Sequence, residues 1–146
     1  MLSKIKPLFT ASATATGGRN GHTESSDGLV KADLSVPKEL GGPGRPGTAT
    51  PEHLFAAGYA ACFGGSLDFV ARQSGQNASQ VKVTAAVSIG SRESGGLGIA
   101  VRIRVEDTSL PRDVLASLVE EVHERACPYS LAVRGNVEVA FEIVGG

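Results

Sequence analysis

The chain has 146 residues, a length that predicts a single domain spanning residues 1–146. Hydrophobic residues make up 41% and charged residues 20%, which supplies a core and argues against a disordered chain. Fourteen Lys and Arg residues against fifteen Asp and Glu residues leave a net charge of -1. That balance excludes a basic surface for nucleic acid or an anionic membrane.

The sequence predicts neither a transmembrane segment nor a signal peptide. The longest uncharged apolar stretch, residues 54–67, is shorter than the roughly 20 residues that cross a bilayer. Lys4 and Lys6 are followed by Pro7 and small polar residues, not by the apolar core of a signal peptide. We therefore expect a soluble, cytoplasmic protein without a membrane partner.

The first third of the chain predicts a β-meander of about three strands. Residues 8–16 and 29–36 alternate between larger and smaller side chains, as strands do. The glycine-containing segments 17–21 and 26–28 are typical of turns. Residues 41–47 (GGPGRPG) indicate a loop, and they lack the Lys-Ser/Thr ending of a phosphate-binding loop.

A long helix is predicted from Pro51 to about Gln73. Thr50 suits the cap, Pro51 suits the first helical position, and Glu52 faces the positive end of the helix dipole. Residues 56–62 (AAGYAAC) are almost free of bulk and charge. A helix that is apolar on most faces is expected to be buried.

The remaining elements place the chain in the α+β class. Residues 81–89 and 97–105 alternate as a hairpin with one solvent-facing side. A buried stripe predicts a second helix from Pro111 to about Cys127, where Pro128 disfavours helical geometry. Residues 137–144 predict a last strand. The element order βββ-α-ββ-α-β favours antiparallel groups of strands.

Two cysteines, Cys62 and Cys127, are the first candidates for chemistry. Each alone is equally well explained as a small buried apolar residue. Each predicted helix carries one of them, which favours a redox pair. Cys62 lies mid-helix, so a nearby cationic side chain would have to stabilise its thiolate. Cys127 lies at the negative end of a helix, which favours a resolving role.

Arg19 and Glu52 are the candidate activating residues. Arg19 lies in a glycine-rich turn, where an arginine is usually a solvated charge. If the thiols reduce a peroxide and the guanidinium turns inward, Arg19 can hold a carboxylate and a peroxide oxygen together. Glu52 is the candidate carboxylate, and its alternative role is to complement the helix dipole.

Three histidines, His22, His53 and His123, raise the question of a metal site. His123 and Cys127 are one helical turn apart, a spacing that suits two zinc ligands. No second pair has ligand spacing. We therefore expect no bound metal.

Several segments together resemble a known family. They are TPEHLFAAGYAACF (residues 50–63), ACPYSLAVRGN (residues 126–136), GGRNG, SSDGL and KELGGPG. These segments resemble the organic hydroperoxide resistance proteins, within the wider family that includes the osmotically inducible OsmC proteins. The resemblance covers nearly the whole chain, and the CPYS ending is closer to the hydroperoxide-resistance branch. Thr50 and His53 depart from the family's more frequent Asn and Gln.

The resemblance implies an OsmC-like fold, with antiparallel sheets packed around a long central helix in an intertwined homodimer. It implies a thiol peroxidase of the oxidative stress response. Cys62 would attack an alkyl or fatty-acid hydroperoxide, and Cys127 would resolve the resulting sulfenic acid as a disulfide. Arg19 and Glu52 match the family's paired activating residues. A dihydrolipoyl group on a lipoylated protein would reduce the disulfide, and no cofactor would be bound.

Three aromatic residues and two alternative functions complete the analysis. Phe55, Tyr59 and Phe63 are candidates for an apolar substrate mouth, and each is equally well explained as a core residue. An OsmC-type peroxidase with a broader substrate range is one alternative function. A non-catalytic thiol sensor or binding protein is the other.

The spacing of Glu52 and Cys62 bears on the dimer. They are ten residues apart, which is about 15 Å along a straight helix. If Glu52 serves Cys62, either the helix breaks near Gly58 or the partner subunit supplies Glu52 and Arg19. Our hypothesis is that two copies of the helix cross near Gly58 and form two shared sites.

Overall fold

The computed structural model describes residues 2–146, and the chain divides into two compact units. The first unit ends at Pro51, and the second covers Glu52–Gly146. Each unit has its own three-stranded sheet. A single domain over residues 1–146 stays a prediction.

The first unit contains the predicted β-meander. Strands β1 (Ala13–Thr16), β2 (His22–Ser25) and β3 (Lys31–Asp33) pair in that order, and both pairs are antiparallel. β1 is shorter than the predicted strand 8–16, because β2 has only four residues and its pairing ends where Ala13 meets Ser25.

The loops of the first unit are held by hydrogen bonds. Gly17 has a φ of 79°, a conformation that favours glycine, and it opens the turn that carries Arg19. The Arg45 guanidinium donates to the carbonyl oxygens of Asn20 at 3.2 Å and Leu34 at 2.8 Å. The predicted loop 41–47 is therefore tied to the turn beside Arg19.

The second unit begins with the predicted long helix, α1, over Pro51–Gln73. The later elements are β4 (Lys82–Ser91), β5 (Leu97–Glu106), α2 (Arg112–Glu121), a π-helical turn (Val122–Ala126), α3 (Pro128–Val133) and β6 (Val139–Val144). The hairpin and the end of helical geometry before Cys127 were predicted. The π-turn and α3 were not.

The fold class is confirmed, with one correction to the strand directions. β4 and β5 are antiparallel, but β6 pairs with β5 in parallel, so the second sheet is mixed. The expectation of purely antiparallel sheets is wrong here. α2, the π-turn and α3 lie between β5 and β6 in the chain, and such a helical crossover lets consecutive strands run in the same direction.

Alternate residues of β5 face the core, as predicted. Val101, Ile103 and Val105 are at most 3% exposed, whereas Arg102 and Arg104 are exposed. The three buried residues of β5 pack with one stripe of α1. The members of that stripe recur every four residues: Tyr59, Phe63, Leu67 and Ala71. The sheet and this stripe together form the core of the second unit.

The rest of α1 is less buried than the sequence indicated. The opposite stripe is exposed within the chain, and its members are His53, Ala57, Ala61, Gly65 and Phe69. The stretch 54–67 alone was expected to be too short for a membrane, but the whole of α1 is long and apolar enough to cross one by length and composition. Its buried stripe belongs to the core of the unit, which is how a central helix of a globular protein packs.

Candidate active site

The two cysteines meet inside the second unit. The Sγ atoms of Cys62 and Cys127 are 3.7 Å apart, and both thiols are free. Cys62 lies half-buried in the middle of α1, whereas Cys127 is fully buried. A disulfide is about 2.05 Å long, so the two sulfur atoms are in contact but not bonded. The arrangement suits a thiol pair that cycles between reduced and oxidised forms.

The backbone around Cys127 explains its position. Its N–H donates to the Val122 carbonyl at 2.8 Å, which closes the π-turn. The residue itself is extended (φ -76°, ψ 115°), because Pro128 follows and begins α3. Cys127 therefore lies between the negative end of one helix and the positive end of the next. The sequence analysis anticipated only the first of these.

The immediate surroundings of Cys62 disfavour its thiolate. Burial raises the pKa of the Cys62 thiol, and a hydrogen bond from the backbone N–H of Tyr129 opposes that rise. The net direction is upward. Since the thiolate is the nucleophile, rapid attack by Cys62 requires a further stabilising charge.

A buried polar cluster lies beside the thiol pair. The Ser130 hydroxyl is 2.7 Å from the Tyr59 hydroxyl and 2.8 Å from His123 Nδ1. Ser130 is fully buried, and burial lowers the pKa of His123. The sequence analysis missed Ser130. The available signal was a serine in the first turn of a helix begun by Cys127-Pro128.

Two of the three histidines make hydrogen bonds in their own units, and the third, His53, lies exposed in the first turn of α1. His123 bonds the Ser130 hydroxyl through Nδ1. His22 bonds Glu24 and Asp33, and these bonds, with that of Glu24 the larger, raise its pKa. Within residues 2–146, no group of three or more His, Cys, Asp or Glu side chains is placed to hold a metal ion.

The three aromatic candidates occupy different environments. Tyr59 and Phe63 are fully buried, so the structure places them in the core. The Phe55 ring packs edge-on against Tyr59, with centroids 6.1 Å apart, and is only partly buried. Phe55 also lines a surface pocket of about 410 Å³ together with Arg92, Leu97, Gly98, Ile99, Ala132, Val133, Asn136 and Val137. Of the three, only Phe55 reaches the surface.

Arg19 and Glu52 lie in different units. Arg19 is half-buried in the short helical turn Gly18–Asn20 of the first unit, and Glu52 is half-buried in the first turn of α1. α1 continues through Gly58, so the alternative of a helix break is wrong. Glu52 and Cys62 are thus separated by about 15 Å along one continuous helix.

Comparison with known proteins places this site in a family. A family profile described as OsmC-like protein matches residues 42–142. An organic hydroperoxide resistance protein of Xanthomonas axonopodis pv. citri is 46% identical over 144 residues, 98% of this chain and 99% of that protein. The organic hydroperoxide resistance protein OhrB of Bacillus subtilis is 47% identical over 141 residues, 93% of this chain and 98% of that protein.

A solved structure shows the same fold. It is the crystal structure of an organic hydroperoxide resistance protein from Legionella pneumophila, with a TM-score of 0.87 and 44% identity, covering 95% of this chain and 99% of that chain. The fold and the family profile define an OsmC-like protein, and the chain belongs to that family. Its full-length relatives carry the name organic hydroperoxide resistance protein, so the resemblance noted from the sequence is confirmed.

Proposed function

We propose that this protein is a cysteine-based peroxidase that reduces organic hydroperoxides to alcohols. The observation that carries the proposal is the contact between the half-buried Cys62 and the buried Cys127, with their sulfur atoms 3.7 Å apart. The names of the full-length relatives support organic hydroperoxides as the substrate class. Phe55, which lines a surface pocket, is the aromatic residue best placed to contact a substrate chain.

The reaction divides into two steps on the enzyme. The Cys62 thiolate attacks the distal oxygen of ROOH, the O–O bond breaks, and the alkoxide takes up a proton and leaves as ROH. Cys62 is then a sulfenic acid. Cys127 attacks the Cys62 sulfur, the S–O bond breaks, and the hydroxyl leaves as water with the Cys127 proton. The resulting disulfide protects Cys62 from irreversible oxidation.

Arg19 and Glu52 complete the proposed chemistry. Burial raises the pKa of Cys62, so a cation is needed to keep the thiolate populated. We assign that task to Arg19, whose guanidinium would also stabilise the departing alkoxide. Glu52 would orient Arg19. Because Glu52 cannot reach Cys62 along its own continuous helix, we assign Arg19 and Glu52 to the partner subunit of a homodimer.

The reductant and the compartment belong to the same proposal. A dihydrolipoyl group of a lipoylated protein would reopen the disulfide by two thiol exchanges and leave with the oxidising equivalents as its own disulfide. No resident cofactor is required. We place the protein in the reducing cytoplasm, where structural disulfides are rare and a pair of thiols can act as a redox pair.

The proposal is tested by peroxide consumption with dihydrolipoamide as the reductant. Cumene hydroperoxide and hydrogen peroxide are compared for the wild type, Cys62→Ser and Cys127→Ser. We expect turnover that favours cumene hydroperoxide and falls at least a thousandfold in Cys62→Ser. Cys127→Ser should lose sustained turnover, because its Cys62 sulfenic acid is left open to irreversible oxidation by further peroxide. Absence of turnover in the wild type with fully reduced thiols would contradict the proposal and favour a binding protein or sensor.

A further inference from the structure

One buried hydroxyl joins three segments around the thiol pair. Ser130 lies in α3, Tyr59 in α1 and His123 in the π-turn. The Ser130 oxygen is 2.7 Å from the Tyr59 hydroxyl and 2.8 Å from His123 Nδ1. Ser130 and Tyr59 are both fully buried, so the bond between them does not compete with bulk water, and His123 is half-buried.

Tyr59 and Ser130 each lie about one helical turn along the chain from one of the two cysteines. Tyr59 precedes Cys62 by three residues, and Ser130 follows Cys127 by three. The bond between Tyr59 and Ser130 therefore fastens the cysteine-bearing stretch of α1 to the start of α3. His123 fastens the π-turn to the same hydroxyl from the other side of Cys127.

The chemistry of the cluster favours a fixed arrangement. Burial lowers the pKa of His123 and raises the pKa of Tyr59, so it favours the neutral form of each. A buried hydroxyl that bonds two partners has its hydrogen-bonding capacity satisfied. Breaking its hydrogen bonds costs more free energy than breaking those of a solvated hydroxyl. An alanine at position 130 would fill almost the same volume, so the hydroxyl matters for what it binds.

Disulfide formation is sensitive to such an arrangement. Two cysteines form a disulfide only within a narrow range of backbone separations and side-chain angles. Cys127 is also in competition with a second peroxide molecule, which would oxidise the Cys62 sulfenic acid irreversibly. The contacts that hold the two cysteine-bearing segments together therefore decide whether Cys62 forms the disulfide or is oxidised irreversibly.

We propose that Ser130 is a positioning residue for disulfide formation: its hydroxyl holds the Cys127 segment against α1 so that the two sulfur atoms stay in contact. The inference rests on the proposed function for its biological role. The closing step itself can be measured without any peroxide. Loss of the hydroxyl should slow closure by about tenfold, the effect of losing two buried hydrogen bonds, and leave the first reaction of Cys62 unchanged.

The test uses dithiobis(nitrobenzoate), an aromatic disulfide, on the reduced full-length protein. The Cys62 thiolate displaces one nitrothiobenzoate anion and forms a mixed disulfide. Cys127 loses its proton to solvent and attacks the Cys62 sulfur, which breaks the mixed disulfide and releases a second anion. The two releases report the first reaction and closure separately. Cys62 is expected to react first, because Cys127 is fully buried.

Ser130→Ala should slow the second release about tenfold and the first less than twofold. Tyr59→Phe keeps the bond between Ser130 and His123, so the rate of its second release should lie between the rates of the wild type and Ser130→Ala. Ser109→Ala is the matched control: it removes a serine hydrogen bond to Asp107, 2.6 Å long, in the loop before α2. That variant should behave like the wild type in both releases.

A second release unchanged in Ser130→Ala would overturn the inference, and so would equal slowing of both releases. If Ser130→Ala does not fold, by its melting transition, Tyr59→Phe alone decides in the same way. The peroxide arm measures the fraction of Cys62 converted to sulfinic acid by intact mass. In Ser130→Ala half-conversion should need about one-tenth of the cumene hydroperoxide. If the wild type shows no peroxide oxidation while the two releases respond as expected, the proposed function fails and the positioning role stands.

Discussion

At the scale of single residues, the environment of each titratable group decides its role. Burial raises the pKa of Cys62 and lowers the pKa of His123, since it disfavours the charged form of each. For Cys62 this creates the need for a cation, and we assign Arg19 to supply it. For His123 it favours the neutral imidazole beside Ser130. The same physical cause thus hinders one group and suits the other.

His123 should make the folded state sensitive to mild acid. The pKa of His123 is lowered from 6.5, mainly by burial, with Glu124 opposing the shift and Arg134 adding to it. The unfolded chain therefore binds a proton at a higher pH than the folded chain. The free energy of unfolding should fall as the pH drops below about 6.5, and the loss should level off below the folded-state pKa.

Urea denaturation at pH 7.5, 6.5 and 5.5 measures this effect as a difference between the wild type and His123→Gln. The wild type should lose more stability across this range than the variant. His22 is the matched control, because hydrogen bonds to Glu24 and Asp33 raise its pKa, so His22→Gln removes a contribution of the opposite sign. Parallel pH profiles for the wild type and His123→Gln would contradict the argument.

At the scale of secondary-structure elements, the junction of the π-turn and α3 shapes the site. An α-helical continuation of α2 would present its residues at a regular spacing, but the wider π-turn and Pro128 redirect the chain at Cys127. π-Helical turns are frequent at functional sites. Here the turn delivers a buried cysteine to the side of α1 and starts a new helix whose first turn carries Ser130.

The loop of residues 41–47 is joined to the turn that carries Arg19 by the Arg45 side chain. Arg45 donates to two carbonyl groups, of Asn20 and Leu34, and the Asn20 side chain accepts from the Val36 N–H at 2.9 Å. These bonds hold the turn that carries Arg19. Arg45→Ala should therefore lower the free energy of local opening of residues 17–21 by about 1 kcal/mol.

Amide hydrogen exchange measures that loosening. Exchange in residues 17–21 should become roughly fivefold faster in Arg45→Ala, which corresponds to about 1 kcal/mol. Exchange in β5 of the second unit should stay at the wild-type rate. Arg92→Ala, which removes an exposed arginine from the β4–β5 hairpin, is the control and should leave residues 17–21 unchanged. Equal exchange in Arg45→Ala and the wild type would show that the two bonds do not hold the turn.

At the scale of the whole molecule, α1 links the site to the proposed dimer. One stripe of the helix is buried in its own unit, and the opposite stripe is exposed, with the small residues Ala57, Ala61 and Gly65 in its middle. Small side chains allow two helix backbones to approach closely. The continuity of α1 through Gly58 leaves the partner subunit as the proposed source of Glu52 and Arg19.

Mixed dimers test whether the sites are shared. Cys62→Ser and Arg19→Ala homodimers should each be nearly inactive. In a heterodimer with shared sites, one site combines both defects and the other has neither, so activity should return to about half of the wild type per heterodimer. Random mixing yields about a quarter of the wild-type activity in the whole sample. No recovery in heterodimers verified by two different affinity tags would rule out sites built from both subunits.

Much of the local structure followed from the sequence. The ends of α1 follow from Pro51 and from the glycine after its last turn, and the faces of β5 follow from strict alternation. Segments around the cysteines were specific enough to identify the family, which the full-length relatives confirm. These features depend on neighbours within a few residues or on long motifs, so they are visible in the sequence.

Other features required the tertiary structure. The parallel pairing of β6, the length of β1 and the burial of only one stripe of α1 depend on which segments meet, and local patterns do not contain that information. The contact between Cys62 and Cys127 spans 65 residues, and the bond between Tyr59 and Ser130 spans 71. Sequence alone determined which residues carry the thiols. Only the packing of α1 against the π-turn and α3 decided that the thiols touch, because distances between distant segments are set by the core they share.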